Sequence, residues 1–217
     1  MRIAVIGGNG QIARLLTTQL LQRGHRVTSV VRNPEHVDSL KELGADPVIA
    51  DLEQSTPTDL AKQLGHVDAV VCAAGAGPGS TAERKLTLDR DGAILSADAA
   101  ELANIRRFVV VSAIGTDTFD RDSDDVYQVY LRAKSEADAN IRGRSAKLDW
   151  TIVRPGGLTD DDATGSVKVG EQVERGSIPR ADVAAVIAAL LDRHAGIHKQ
   201  FEVVSGEEEI GSAVKKL

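Results

Sequence analysis

The chain opens Met1-RIAVIGGNGQIARL-Leu16, an apolar run that breaks into glycines and then resumes with helical spacing. Arg2 to Ile6 is β-branched and apolar enough for a buried parallel strand. Ile12, Leu15, Leu16, Gln19 and Leu20 follow at the spacing of one helix face. Gly7, Gly8 and Gly10 fall between the two. Without a Cβ, Gly7 and Gly10 permit a tight turn and close approach of the backbone to a pyrophosphate, and the free N–H groups of a helix start supply partial positive charge. Ala13 is small enough to let helix pack on strand. The spacing Gly7, Gly10, Ala13 is a GxxGxxA pattern, looser than GxGxxG, so the rest of the chain has to carry the case.

Outward from this turn, apolar β-rich runs recur at Arg26 to Val31, Asp46 to Ala50, Ala69 to Ala73, Arg107 to Val111 and Asp149 to Val153. Helical stretches separate them: Gly10 to Arg23, Pro34 to Leu43, Thr58 to Leu64, Ala82 to Ala103 and Asp125 to Gly143. Strict β–α alternation predicts an α/β fold, a doubly wound parallel sheet with helices on both faces and ligands at the carboxyl edge of its strands. Gly24, Gly44 and Gly143 each stand where a helix-ending C′ glycine is expected. Ala93, Ala97, Ala100 and Ala103 make a small-residue stripe for packing on the sheet. After Val153 the pattern loosens, and residues 154–180 read as a loop with a small β-excursion, the natural substrate lid. A final helix from Arg180 to Arg193, a strand from Gln200 to Gly206 and a short terminal helix complete a single domain spanning 1–217.

At 217 residues the chain is long enough to bury a real core. Its net charge of -6, with Lys and Arg scattered, argues against nucleic acid as a partner. The sequence enters a strand at once and holds no apolar run of membrane-spanning length, which predicts a cytoplasmic protein without a membrane partner. The single cysteine, Cys72, falls in a strand and reads as a core residue. His25, His36 and His66 lack ligand spacing, the four-residue step from His194 to His198 is interrupted by Gly196 with no acidic partner after it, and Asp160 to Asp162 reads as a solvated turn, so no metal is predicted.

Chemistry is concentrated at the ends of the predicted strands. Arg32 closes the second strand at the place of the ribose-reading residue. There an Asp or Glu would accept from the 2′-hydroxyl of NAD, whereas an arginine offers charge and donors to the 2′-phosphate of NADP. NADP(H) is therefore the expected cofactor. Asp51 and Leu52 follow the third strand and suit an adenine edge, Asp51 being equally suited to a turn. Ala73, Ala74 and Gly75 keep side chains minimal after the fourth strand. Ser112 ends the fifth, and Tyr130 and Lys134 stand four apart on one helix face as YxxxK. An ammonium beside a phenol favours the phenolate and lowers its pKa, making Tyr130 a usable acid near neutrality. Ser112 could orient a carbonyl.

In GGNGQIA, VRNP, ADL, VVSAIG, YLRAK, TIVRPGGL (151–158) and IPRADVA (178–184), the chain resembles the atypical NAD(P)-binding branch of the short-chain dehydrogenase/reductase superfamily, which includes NmrA-like and biliverdin/flavin-reductase-like proteins. The resemblance spans almost the whole chain and implies a Rossmann domain. It places Tyr130 and Lys134 near the nicotinamide ribose and the backbone around Pro155 beside the nicotinamide. It lines the cofactor with Gly7, Asn9, Gly10, Gln11, Ile12, Arg32, Asp51, Leu52, Ala73, Ala74 and Ser112. Two departures stand out: Ala13 where many catalytic relatives have Gly, and the lack of the larger sugar-binding domain of full-length epimerases. The primary expectation is an NADPH-dependent reductase of a small carbonyl, quinone-like or flavin-like acceptor. A non-catalytic NADP(H)-binding sensor is the alternative, and an epimerase or dehydratase with tightly bound NAD is the weaker one. Oligomeric state is not encoded in any of these patterns.

Overall fold

The computed structural model describes residues 1–217. In chain order the elements are β1 (Arg2–Ile6), α1 (Gln11–Gln22), β2 (Arg26–Val31), a 3-10 turn (Pro34–His36), α2 (Val37–Glu42), β3 (Asp46–Ile49), α3 (Pro57–Leu64) and β4 (Ala69–Cys72). Then come α4 (Ala82–Arg84), which runs through a π-helical segment (Lys85–Arg90) into α5 (Asp91–Leu102), followed by β5 (Arg107–Val111), α6 (Val126–Arg142) and β6 (Asp149–Pro155). The chain ends with β7 (Gly157–Thr159), β8 (Ser166–Gly170), β9 (Ser177–Pro179), α7 (Arg180–Asp192), β10 (Lys199–Ser205), β11 (Glu208–Glu209) and α8 (Ile210–Lys215).

The nine-stranded sheet has the order β11-β8-β10-β6-β5-β4-β1-β2-β3. Strand β1 lies between β2 and β4, so the winding direction reverses there and opens a crevice at the carboxyl ends. Because the parallel strands are covered on both faces, alternate residues feed two separate cores. Ile3 and Val5 pack with Leu16 and Leu20 of α1 and Ile187 and Leu190 of α7. Ala4 and Ile6 pack with Leu60, Ala97, Phe108 and Ile141 on the other side. Cys72 is buried in this second core, and Ala93, Ala97 and Ala100 are buried along α5.

Three local readings are corrected. The sheet is mixed, because β8 runs antiparallel to both β10 and β11; the segment read as a lid thus donates a strand to the main sheet and pairs β7 with β9 in a small parallel ribbon. The predicted helix from Ala82 to Ala103 contains the π-helical segment, whose wider turn rotates Lys85 and Asp89 inward. Gly24 and Gly44 do adopt left-handed backbone, but Gly143 sits at φ -65 and ends its helix with ordinary right-handed geometry.

Candidate functional site

Gly7 has a φ of +80, and a Cβ there would stand 2.6 Å from the Cα of Ala74, so the turn at the end of β1 can be made only by glycine. The turn delivers the chain to α1 through Gly10, which caps the helix without a side-chain acceptor; the first turn of α1 contains no acidic residue. The first intrahelical bond is Arg14 N–H to Gly10 O, which leaves the amides of Gln11, Ile12 and Ala13 without helical partners. Asn9 is steadied by Arg14, whose Nη1 donates to Asn9 Oδ1 at 3.1 Å.

Two cavities meet over this helix start and share Gly10, Ala73, Ala74 and Gly75. The smaller, about 280 Å³, lies over the ends of β2 and β3 and takes in Gly7, Asn9, Arg32, Asp51 and Leu52. The larger, about 650 Å³, takes in Gln11, Ile12, Ser112, Tyr130 and Lys134. Every residue assigned from sequence to catalysis or to the cofactor lines one cavity or the other, with the exception of Pro155. That proline is buried at the end of β6 with its carbonyl accepting from Ile114 N–H, and it lines neither. Asp51 also serves the turn, its Oδ1 accepting from Glu53 N–H at 3.0 Å.

In the larger cavity Lys134 is buried. Its Nζ donates to Val111 O at 3.1 Å and lies 3.5 Å from Asp89 Oδ1. Burial works against the ammonium, but Asp89, Tyr130, Cys72 and Asp138 outweigh it, and Lys134 titrates above the ordinary lysine value. Asp89 in turn accepts from Ala76 N–H at 3.1 Å and lies so near Gly75 that a Cβ there would come within 2.8 Å of Oδ1. Tyr130 is flanked by two ammonium groups, Lys85 Nζ 5.2 Å and Lys134 Nζ 6.0 Å from its ring centroid. The expectation that Lys134 would bring the phenol down is reversed: burial pushes the Tyr130 pKa up and Lys134 only moderates the rise. Lys85 donates to Gly77 O at 2.7 Å, and burial lowers its pKa.

Ser112 was expected to polarise an acceptor, yet its hydroxyl donates inward, to Asp138 Oδ2 at 2.8 Å. Asp138 is buried and shares that oxygen with Arg154 Nε at 2.9 Å; Arg154 also donates to Asp117 at 2.5 Å. Burial raises the Asp138 pKa despite Arg154. Burial likewise opposes the Arg154 guanidinium, but its two carboxylate partners hold it above the ordinary value. The geometry makes Ser112 the inner end of a polar chain fixing β5, α6 and β6 to one another.

Sequence reasoning missed Asp89, Asp138, Arg154, Glu53 and Arg84. The available signals were an Asp four residues after Lys134 on α6 and an arginine inside an otherwise apolar strand, where a buried charge demands a partner.

A crevice with uncapped helix amides, minimal side chains at its waist and no acidic residue in the first turn suits an anionic linker between two larger groups. A family model described as NAD(P)H-binding matches residues 7–194. The chain belongs to the NAD(P)H-binding family. It is similar over its whole length to the Bacillus subtilis (strain 168) protein named uncharacterized sugar epimerase YhfK, at 35% identity over 219 residues and 100% of both chains. A Bacillus halodurans structure provisionally named an NAD-dependent epimerase/dehydratase superposes with a TM-score of 0.91 at 40% identity, covering 100% of each chain. The oxidoreductase ylbE from Lactococcus lactis superposes at 0.87 and 29% identity, over 100% of this chain and 96% of that one. The protein is thus an NAD(P)-binding Rossmann protein of the oxidoreductase/epimerase type. No helix is long and apolar enough to cross a membrane.

Proposed function

We propose that this NAD(P)H-binding protein catalyses hydride exchange at a carbinol or carbonyl carbon of a small molecule held in the larger cavity. The observation that carries the reading is the position of Tyr130 and Lys134, one helical turn apart, in the cavity that continues the glycine turn. When bound, the dinucleotide supplies or withdraws the hydride. Gly7, Gly10 and the amides at the start of α1 would hold its pyrophosphate, and the small residues 73–75, shared by the two cavities, would leave room for it there. Tyr130 gives its hydroxyl proton to the carbonyl oxygen in reduction and takes it back in oxidation. Lys134, kept charged by Asp89, steadies the phenolate in either direction. Ser112 acts through its bond to Asp138, as a positioning residue at the end of β5.

The names of the Bacillus subtilis and Bacillus halodurans relatives favour a second form of the same chemistry over net reduction, in which the hydride returns to the substrate and the cofactor is retained. Both forms need the same half-reaction. Incubation with NAD(P)H and panels of ketones, quinones and flavins, and in parallel with NAD(P)+ and hydroxylated substrates, followed by absorbance and by NMR, separates them. Net loss of reduced nicotinamide supports the reductase. Inversion or dehydration of a substrate at constant cofactor supports the epimerase/dehydratase form. Tight nucleotide binding with neither change replaces both by a sensing role. A flavin-like or quinone-like acceptor is indicated if Tyr130→Phe retains most of the reductase rate, because such a ring can take its proton from water.

A further inference from the structure

Glu53, on the loop after β3, organises the outer wall of the smaller cavity. Its Oε2 accepts from Arg32 Nη1 at 3.2 Å and from Arg84 Nε and Nη2 at 3.3 and 3.2 Å, and its Oε1 accepts from Thr87 Oγ1 at 2.7 Å. The Thr87 bond, with help from Arg84 and Arg32 and against the effect of burial, holds the carboxyl below its ordinary value, so Glu53 is charged at neutral pH. Arg32, the residue expected to read a 2′-phosphate, therefore does not face the cavity as a free cation. The charged side chains lining this cavity are Arg32 and Arg84 against Asp51 and Glu53, and their formal charges cancel; His36 is the one further titratable group on the wall.

We propose that Glu53 is the residue that sets dinucleotide preference, by neutralising the arginine pair and offering the cavity a carboxylate that a ribose 2′-hydroxyl can donate to. The inference rests on the reading that the smaller cavity takes the adenosine half of the cofactor. A ribose carrying two hydroxyls meets an acceptor, as it does where an acidic residue ends β2 in NAD-binding folds. A 2′-phosphate meets two guanidinium groups already committed to a carboxylate that repels it, and so gains little from Arg32. Arg84 comes from α4, more than fifty positions after Arg32 in the chain, so its part in the site has no counterpart in the motif around β2.

The test is calorimetric titration of the full chain with NADH and NADPH, for the natural protein and for Glu53→Gln and Arg84→Gln. Glutamine keeps the size of Glu53 and its acceptor for Thr87 while removing the charge. The expected result is that E53Q shifts the affinity ratio toward NADPH by about tenfold, the scale of one charge-assisted contact, and that R84Q shifts it toward NADH. A ratio that stays within about twofold in E53Q, or that moves toward NADH, overturns the proposal. If E53Q does not fold, R84Q decides: an unchanged ratio there overturns it as well. Failure of the natural protein to bind either nucleotide would instead overturn the reading of the cavity itself, so the two failures are distinguishable.

Discussion

Tyr130 must be protonated to reduce a carbonyl and ionised to oxidise an alcohol, so its raised pKa carries a sign that can be checked. The protonated form persists to above pH 10, its ordinary value. The rate of reduction is expected to stay level through neutrality and to fall only in strong alkali, whereas oxidation should climb with pH over the same range; initial rates in both directions measure this. Tyr130→Phe should lower kcat for a carbonyl substrate about 10²-fold or more, the usual worth of general acid–base catalysis, with nucleotide affinity kept. Lys134 carries a second consequence, because Asp89 is 2% exposed and has this ammonium as its close cationic partner. Lys134→Met leaves a buried carboxylate uncompensated and is expected to cost about 3–5 kcal/mol in denaturant unfolding, part of which Asp89→Asn in the same chain should restore. Arg32, Tyr130 and Lys134 could be singled out as candidates from position and spacing alone. Their partners Glu53 and Asp89 were not, since a carboxylate on a distant loop or helix has no periodic relation to the cation it meets.

At the scale of the element, the β1–α1 turn and the π-helical segment do different work. Gly7 is required by the fold itself. Gly7→Ala puts a side chain on left-handed backbone and against Ala74, and should destabilise the protein by about 2–4 kcal/mol. Gly10 is at φ -64, which any residue adopts, and a Cβ there would lie 3.2 Å from Gly7 O. Gly10→Ala is therefore expected to keep most of the melting temperature and to lose NAD(P)H affinity; thermal unfolding beside titration with NADH separates the two variants. The β1–α1 turn could be read because its backbone demands coincide with glycines in a fixed order. The π-helical segment could not: Lys85-LTLD-Arg90 looks helical in composition, and its extra residue per turn is imposed by packing against α6 and by the bonds that Lys85 and Asp89 make to the loop after β4. The same holds for β8. Its alternation was visible as a β-excursion, but its place in the main sheet depends on the free edge of β10, a property of the assembled sheet.

Across the whole molecule, the two cores are closed by elements far apart in sequence. Helix α8 buries Ile210, Ala213 and Val214 in the same core as α1 and α7. Removal of residues 207–217 should expose that patch and cost about 4 kcal/mol, read as a lower urea midpoint. Acid should act on the fold through several carboxylates held low. Asp192 is lowered by His25 and Arg23 against burial, Asp149 by Arg106, and Glu53 by Thr87 and the arginines. Each has a folded pKa below its unfolded value of 3.8 or 4.5, so its contribution is complete above that value and is lost as pH falls through the folded one. Asp138, raised by burial, works in the opposite sense. Stability is therefore expected to fall gently below about pH 4, with the surface pairs contributing at most about 1 kcal/mol each; urea midpoints from neutral pH to pH 3 would show the limb.

The sequence alone determined the alternating α/β order, the glycine turn and the strand-end positions of the candidate residues, because each depends on local backbone geometry or on a two- or four-residue period. Tertiary structure decided what those residues face. It turned Ser112 inward to Asp138, moved Pro155 out of both cavities and placed Glu53 between Arg32 and Arg84, because long-range pairing of charges is settled by which surfaces the folded chain brings together.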